Sequence, residues 1–172
     1  MNIDIVGTAK ETLRVVKKAI DIRSQKTIEP FYDSVWTVFD KDSFSERDFN
    51  SAIKKANDHN IKCAWSNEAF ELWYILHFEY MHTGLMRKDY KKKLEVHIKK
   101  KEGKYFKYKK NIENMYELLA KYGSQKQAIN WAKKLEENHI VRGREYAKQN
   151  PCTRVYALVE ELNNPETILK ST

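Results

Sequence analysis

The sequence predicts an α/β fold in which a small parallel sheet is followed by a helical C-terminal half. Three observations carry this prediction. Short β-rich runs alternate with helical patterns over the first 65 residues, and helical patterns continue almost to the end of the chain. Only 5 glycines and 3 prolines occur among 172 residues, far too few for the turns of an all-β protein.

Three strands and two helices are predicted in the first third of the chain. Each strand is short and rich in apolar residues, and the three cover residues 2–6 (NIDIV), 35–39 (VWTVF) and 61–65 (IKCAW). The first helix starts at a capping box of Thr8 and Glu11, and the second starts at Ser45. This β-α-β-α-β order favours right-handed crossovers and a parallel sheet of about three strands, between two helical layers.

The rest of the chain is predicted to be helical. The first of these helices covers residues 67–79, is capped by Ser66 or Asn67, and is apolar on nearly all sides, which indicates burial. Further helices are predicted at 87–101, 111–121, 125–137 and 151–162, with Pro151 at the first position of the last one. We therefore expect an α/β core over residues 1–80 and a helical, basic part over 81–172 that packs on it within one domain.

The charge of the chain is unevenly distributed. Residues 1–86 carry 11 Lys and Arg against 13 Asp and Glu, whereas residues 87–110 alone carry 12 against 3, out of a net charge of +8. This asymmetry suggests a polyanionic partner. No membrane span or signal peptide is evident, and Cys63 and Cys152 lack metal-site spacing, so we expect a cytoplasmic protein with reduced thiols.

Two carboxylates, Asp40 and Asp42, follow the predicted strand VWTVF. In an open parallel sheet the carboxyl ends of the strands form the ligand-binding edge. Paired carboxylates at that edge repel each other unless a cation lies between them, and Mg²⁺ is commonly held by one or two carboxylates with water and substrate phosphate. We expect a metal site at Asp40 and Asp42; a solvated loop or a helix cap is the alternative.

Glu71 lies on the predicted apolar helix among aromatic and aliphatic residues. A buried carboxylate needs a partner, since leaving it unpaired raises its pKa or destabilises the fold. One interpretation makes Glu71 a third acid at the metal site, as a ligand or as a base close to it. The other makes it the partner of a basic side chain or of loop amides.

The basic segment, residues 87–110, interleaves lysines with aromatic residues. Lysines can contact phosphates, and flat rings can stack on unpaired bases. A solvated helix face with a loop is the alternative. The residues predicted to contact nucleic acid are Lys91, Lys92, Lys93, Lys99, Lys100, Lys101, Lys107, Tyr105 and Tyr108.

Other chemistries find little support in the sequence. The histidines show no metal-binding spacing, and Ser66 has no evident base partner for a serine hydrolase. No phosphate-binding loop of the Walker or GxGxxG type occurs, which argues against an ATPase.

Three motifs closely resemble the RloB-like family, which includes the AbiLii abortive-infection proteins. They are VFDKDSF at 38–44, CAWSNEAFELWYILHFE at 63–79 and NPCTRVYALVEEL at 150–162. The resemblance covers roughly residues 1–165 and implies an anti-phage defence protein, found beside restriction-modification genes and often beside a partner ATPase. It also implies a Toprim-like core in which Asp40 and Asp42 match the family's DxD acids and hold Mg²⁺ or Mn²⁺ for phosphodiester chemistry on DNA or RNA.

One departure from the family lies at the N-terminus. The family's first strand, which leads to a Glu-Gly motif, has no counterpart in this sequence, so the resemblance implies a metal site that lacks one acid. A shortened chain, an incorrectly assigned start codon and a family member that binds without cutting all stay open. Two functions are therefore expected: a metal-dependent nuclease, or a non-catalytic nucleic-acid-binding or effector module that works with an ATPase. A homo-oligomer is compatible with either.

Overall fold

The fold is built on a three-stranded mixed sheet, seen in a computed structural model that describes residues 2–7, 12–25 and 32–166. Strands β1 (Trp36–Asp40) and β2 (Lys62–Asn67) run parallel, with Val38 opposite Ala64 and Asp40 opposite Ser66. Strand β3 (Cys152–Thr153) pairs antiparallel with the end of β2 and places Cys152 opposite Asn67. The strand order is β1-β2-β3, so β2 is central.

Seven α-helices surround this sheet in the described part of the chain, with one 3₁₀ turn at Tyr146–Lys148. In chain order they are α1 (Thr12–Gln25), α2 (Glu46–Asp58), α3 (Glu71–Ile75), α4 (Arg87–Glu102), α5 (Met115–Tyr122), α6 (Gln125–Ile140) and α7 (Val155–Asn163).

Two hydrophobic clusters cover the two faces of the sheet because side chains alternate along each strand. Phe39 and Trp65 point to the face covered by α1 and α2, where Phe49 meets both rings edge to face. Ala64 points to the other face, which is covered by α3 to α7. The result is a three-layer arrangement with the sheet in the middle.

The predicted α/β class is confirmed. The strands at 35–39 and 61–65 are present, each displaced by about a residue, and α4 occupies almost the predicted range. Ser45 caps α2 as expected, since its hydroxyl accepts a hydrogen bond of 3.0 Å from the Asp48 amide. The capping box of Thr8 and Glu11 lies outside the described residues.

The third strand is not the one predicted. Residues 2–6 are exposed and outside the sheet, whereas the pair Cys152–Thr153 supplies the third strand. A strand needs hydrogen-bonding neighbours, and these depend on contacts distant in sequence that local pattern does not reveal. Because β3 is antiparallel, the sheet is mixed, and the C-terminal half contributes to it.

The predicted cap at Ser66 or Asn67 is wrong because both residues continue β2. The Ser66 hydroxyl lies 2.8 Å from the Thr153 hydroxyl, and the Asn67 amide donates to the Ala147 carbonyl at 2.9 Å. These buried bonds join β2 to the C-terminal segment. The predicted helix at 67–79 is accordingly reduced to α3, only five residues long.

Three later helices have different bounds from those predicted. α5 begins at Met115 rather than Asn111, whose positive φ of 64° is incompatible with a right-handed helix. α6 continues to Ile140. α7 begins at Val155, so Pro151 is not its first residue but lies in the turn before β3.

Candidate functional site at the carboxyl end of the sheet

The predicted acids gather where β1 and β2 end. Asp40 is the last residue of β1, Asp42 lies in the following loop, and Glu71 is the first residue of α3 after β2. The amides of Lys41 and Asp42 donate to the carbonyls of Ser66 and Glu68, at 2.9 and 3.0 Å. These bonds hold the Asp42 loop against the end of β2, and parallel strands therefore bring distant carboxylates to one edge.

One guanidinium group joins these three acids. Arg87, the first residue of α4, places Nη2 2.9 Å from Asp40 Oδ2 and Nη1 2.9 Å from Asp42 Oδ2. Its Nε lies 3.8 Å from Glu71 Oε2, an ion-pair distance too long for a hydrogen bond. Arg87 Nε is buried and lacks a hydrogen-bond partner. The acids thus share one cation supplied by the chain itself.

Glu71 has a second cationic neighbour. Its side chain is only 7 % exposed, and Lys91, one helical turn after Arg87, places Nζ 4.0 Å from Glu71 Oε1. The ion pair given as one interpretation of Glu71 is therefore present, and it coexists with a position close to Asp40. Lys91 also lies over the ring of Tyr108, 5.7 Å from its centroid.

The electrostatic environment changes the acidity of several groups around Glu71. Burial raises the pKa of Asp40 from 3.8 to about 6, although Arg87 opposes this shift and the charges of Glu71 and Asp42 add to it. Burial, followed by the negative charge of Glu71, raises the pKa of Tyr74 and that of Tyr108. Both phenols are consequently neutral hydrogen-bonding groups at physiological pH.

A pocket of about 220 Å³ opens beside the acids. Asp40 and Glu71 line it together with the aromatic rings of Phe70, Tyr74 and Tyr108. Three cations also line it, namely Arg87, Lys91 and Lys110, and Asn111 and Ile112 complete the lining. The pocket therefore combines carboxylates, basic groups and flat rings within one concave surface.

The lysines predicted to bind nucleic acid fall into two groups. Four of them form ion pairs within the protein: Lys91 with Glu71, Lys92 with Asp89, Lys93 with Glu79, and Lys107 with Glu95. Lys93 Nζ lies 2.6 Å from Glu79 Oε1, and this close ion pair leaves the Lys93 side chain less free to reach a ligand. Lys92 and Lys107 remain largely exposed in spite of their pairs.

The second group consists of Lys99, Lys100 and Lys101 at the C-terminal end of α4, all exposed. Twelve residues of helix separate Lys99 from Arg87, or roughly 18 Å at 1.5 Å per residue. Tyr105 is 80 % exposed, whereas Tyr108 is half-buried and lines the pocket. The structure thus brings Lys91 and Tyr108 to the acids and leaves Lys99, Lys100, Lys101 and Tyr105 away from the pocket lining.

Asp40 and Asp42 have the donor atoms that a divalent metal requires. No group of three or more His, Cys, Asp or Glu side chains within residues 2–7, 12–25 and 32–166 is arranged as a ready metal site. Asp40 and Asp42 nevertheless present oxygens to a single cation, and two carboxylates with water and phosphate suit Mg²⁺. The carboxylate oxygens of Asp40 and Asp42 are therefore suitable ligands for the metal. The position between them is filled by the Arg87 guanidinium in this structure.

The partners of the acids were not identified from the sequence. The sequence pattern places Arg87 in the basic segment, residues 87–110, and places Tyr74 in a buried helix. The one indication of these partners in the sequence is that a buried Glu71 requires a cation. It did not specify which of the many basic residues would supply the charge.

Comparison with known proteins assigns the chain to a family. The sequence model of a family described as RloB-like protein matches residues 2–162. The chain belongs to the RloB-like family. The match spans the sheet, the acids, the pocket and all but the last residue of α7, so the site of this RloB-like protein lies within the shared region.

No curated protein and no solved structure matches this RloB-like chain. None of the helices in its described residues is long and apolar enough to cross a membrane.

Proposed function

We propose that this RloB-like protein is a Mg²⁺-dependent nuclease that acts on DNA or RNA in defence against phage. The observation that carries the proposal is the meeting of Asp40, Asp42 and Glu71 beside the first turn of a lysine-rich helix. Carboxylates supply metal ligands, and basic groups supply phosphate contacts. The defence role rests on membership of the RloB-like family, and a partner ATPase belongs to the same proposal.

Each side chain has a distinct part in this proposal. Asp40 and Asp42 would hold Mg²⁺ or Mn²⁺, and the bound metal would supply polarisation of the scissile phosphate and a lower pKa for an attacking water. Lys91 and Arg87 bind phosphate oxygens next to the acids. Glu71, buried between them, orients both cations or serves as a base for the water.

Nucleic acid would be attracted by the exposed lysines of α4 before it reaches the acids. Lys99, Lys100 and Lys101 are exposed, and no acidic residue pairs with them in the described structure. Such a charged helix raises the rate of encounter with a polyanion, most strongly at low salt. It would bind the backbone roughly 18 Å from Arg87, several nucleotides from the cleaved bond.

The experiment compares cleavage of single-stranded and double-stranded DNA and RNA with Mg²⁺, with Mn²⁺ and with EDTA. We expect Asp40→Asn and Asp42→Asn each to reduce cleavage by at least about 100-fold. Asp58→Asn, at the exposed end of α2, is the matched control and should cut like the unmodified protein. Cleavage that persists in both active-site variants would contradict the assignment of the site.

A second function is favoured by Arg87 itself. With its guanidinium 2.9 Å from both Asp40 and Asp42, Arg87 compensates part of their negative charge without any metal. This arrangement suits a non-catalytic nucleic-acid-binding or effector module that works with a partner ATPase. Such a module would bind nucleic acid in a salt-dependent way in EDTA and would show no cleavage with either metal.

A further inference from the structure

We propose that the pocket beside the acids accepts one unstacked nucleotide of a single strand, so that the preferred ligand is single-stranded DNA or RNA rather than a duplex. The proposal deepens the proposed function, on which it rests, because it names the substrate class of the same site. The pocket lies between α3, the first turn of α4 and the segment 108–112.

The position of the acids restricts what can reach them. Asp40 and Glu71 line a concave pocket of about 220 Å³ rather than an open surface. This volume is below the roughly 300–1,000 Å³ of pockets for drug-sized ligands, and it has room for one unstacked base. A nucleotide in a duplex would first have to leave its stack and its pair at a cost of a few kcal/mol, whereas a single strand avoids most of that cost.

The walls of the pocket suit a base. Phe70, Tyr74 and Tyr108 contribute aromatic rings, with Tyr74 and Tyr108 edge to face at 6.3 Å between centroids. Rings of this kind bind the faces of unpaired bases with little sequence preference. Tyr108 is the ring next to Lys91, so a base on it would have a phosphate-binding cation close by.

The rim of the pocket suits the backbone of the same nucleotide. Arg87, Lys91 and Lys110 line the pocket, and the buried Nε of Arg87 has no hydrogen-bond partner. Lys91 is attracted to Glu71 only at 4.0 Å, so it can turn to a phosphate without breaking a hydrogen bond to that acid. Arg87 keeps its hydrogen bonds of 2.9 Å to Asp40 and Asp42 and attracts the phosphate through its charge. Base and phosphate contacts therefore lie side by side.

The aromatic wall is held in place before any ligand arrives. Glu95 of α4 accepts a hydrogen bond of 3.0 Å from the Tyr108 amide and pairs with Lys107 at 3.3 Å. These contacts fix the segment after α4 to the helix that carries Arg87 and Lys91. A preformed wall lowers the entropy lost on binding, which favours capture of a flexible strand.

Binding is measured by fluorescence anisotropy in EDTA, so that no metal-dependent step contributes. The probes are a 12-nucleotide thymidine strand, a 12-nucleotide uridine strand and a 12-base-pair DNA duplex. We expect either single strand to bind at least about 10-fold more tightly than the duplex. Equal binding, or tighter binding of the duplex, would overturn the proposal.

Substitutions test the wall. Tyr108→Ala should weaken single-strand binding by about 5- to 100-fold, as loss of one stacking ring does, while Tyr108→Phe should keep affinity within about 3-fold. Tyr116→Ala, which removes an exposed ring from α5, is the control and should have no effect. An Ala variant that binds normally, or a Phe variant as weak as the Ala variant, would contradict the stacking role.

A measurement without substitutions covers the case in which Tyr108→Ala fails to fold. A 4-thiouridine strand is irradiated on the unmodified protein, and the cross-linked residue is identified by mass spectrometry. Cross-links at Phe70, Tyr74 or Tyr108 support the proposal, and cross-links only outside the pocket, for example at the exposed Tyr105, overturn it. The nuclease proposal fails if the protein does not cleave nucleic acid in the presence of metal. The binding measurements are made in EDTA, so their outcome does not depend on that result.

Discussion

Arg87 is the residue on which the site depends. It forms two hydrogen-bonded ion pairs with Asp40 and Asp42 and a longer one with Glu71, all partly shielded from water. Removing one partner of a shielded pair leaves uncompensated charge, which costs more than the pair itself contributes. Arg87 therefore stabilises the fold and also occupies the position that the proposed metal would take.

Arg87→Ala should reveal both roles. In EDTA we expect the free energy of unfolding to fall by about 1–3 kcal/mol, because Asp40 and Asp42 lose their cation and Glu71 keeps only Lys91. Mg²⁺ or Mn²⁺ should restore much of the lost stability in the variant and should hardly change the stability of the unmodified protein. The reason is that a ligand that binds the native state and not the unfolded state raises the free energy of unfolding. Thermal unfolding with and without 5–10 mM metal measures the effect, and Lys88→Ala, an exposed neighbour on α4, is the control. If metal changed the stability of the variant and of the unmodified protein equally, the metal would not bind at the position of the Arg87 guanidinium.

Asp40 makes stability depend on pH. Burial raises its pKa from 3.8 to about 6, so between these values the folded state binds more protons than the unfolded state. The contribution of Asp40 to the free energy of unfolding is thus most favourable below pH 4 and falls as the pH rises through 6.

Asp40→Asn removes this titration. From pH 4 to pH 7 we expect the variant to gain stability relative to the unmodified protein, by about 2–3 kcal/mol at most. Denaturant unfolding at several pH values measures the change. A constant difference across this range would show that Asp40 titrates normally.

At the scale of elements, one acid of α7 bonds to two strands of the sheet. Glu161 accepts a hydrogen bond of 2.8 Å from the Trp36 indole of β1 and pairs with Lys62 of β2 at 2.5 Å. Partial burial would raise the pKa of Glu161, but these donors outweigh it and lower the pKa. A lowered pKa means that this stabilisation is complete above pH 4.5 and is lost as the pH falls below it.

Glu161→Ala should destabilise the protein by about 1–2 kcal/mol at pH 7, since it removes one hydrogen bond to an indole and one partly exposed ion pair. The difference from the unmodified protein should shrink below pH 4.5. Chemical unfolding at pH 7 and pH 3.5 measures it, with Glu137→Ala on the exposed side of α6 as control. A loss of equal size at both pH values would assign the effect to packing rather than to charge.

At the scale of the whole molecule, positive charge is concentrated on one helix and the segment after it. Several of these lysines are neutralised by acids within the fold, and the exposed group at the end of α4 keeps its charge available. Phosphate contacts release counterions, so each contact to a single strand contributes about 0.7 to the slope of log affinity against log salt.

Charge reversal of Lys99 and Lys100 together should reduce that slope by about 1.4 or more and weaken binding at low salt. The matched control reverses Lys17 and Lys18, an equally exposed adjacent pair on α1. Anisotropy titrations of a single strand between 50 and 300 mM salt give both slopes. An unchanged slope in the α4 variant would exclude this end of the helix from the interface.

Local pattern was sufficient to predict the fold class, strands β1 and β2, helices α1, α2 and α4, and the position of Asp40 and Asp42 at the end of β1. The reason is that burial on one face imposes a period of two or 3.6 residues on the sequence, and polar residues after a buried strand break it visibly. Only the tertiary structure decided the rest. β3, the end of β2 at Asn67 and the pairing of Arg87 with the acids each depend on residues tens of positions apart, and partners brought together by folding leave no periodic trace in the chain.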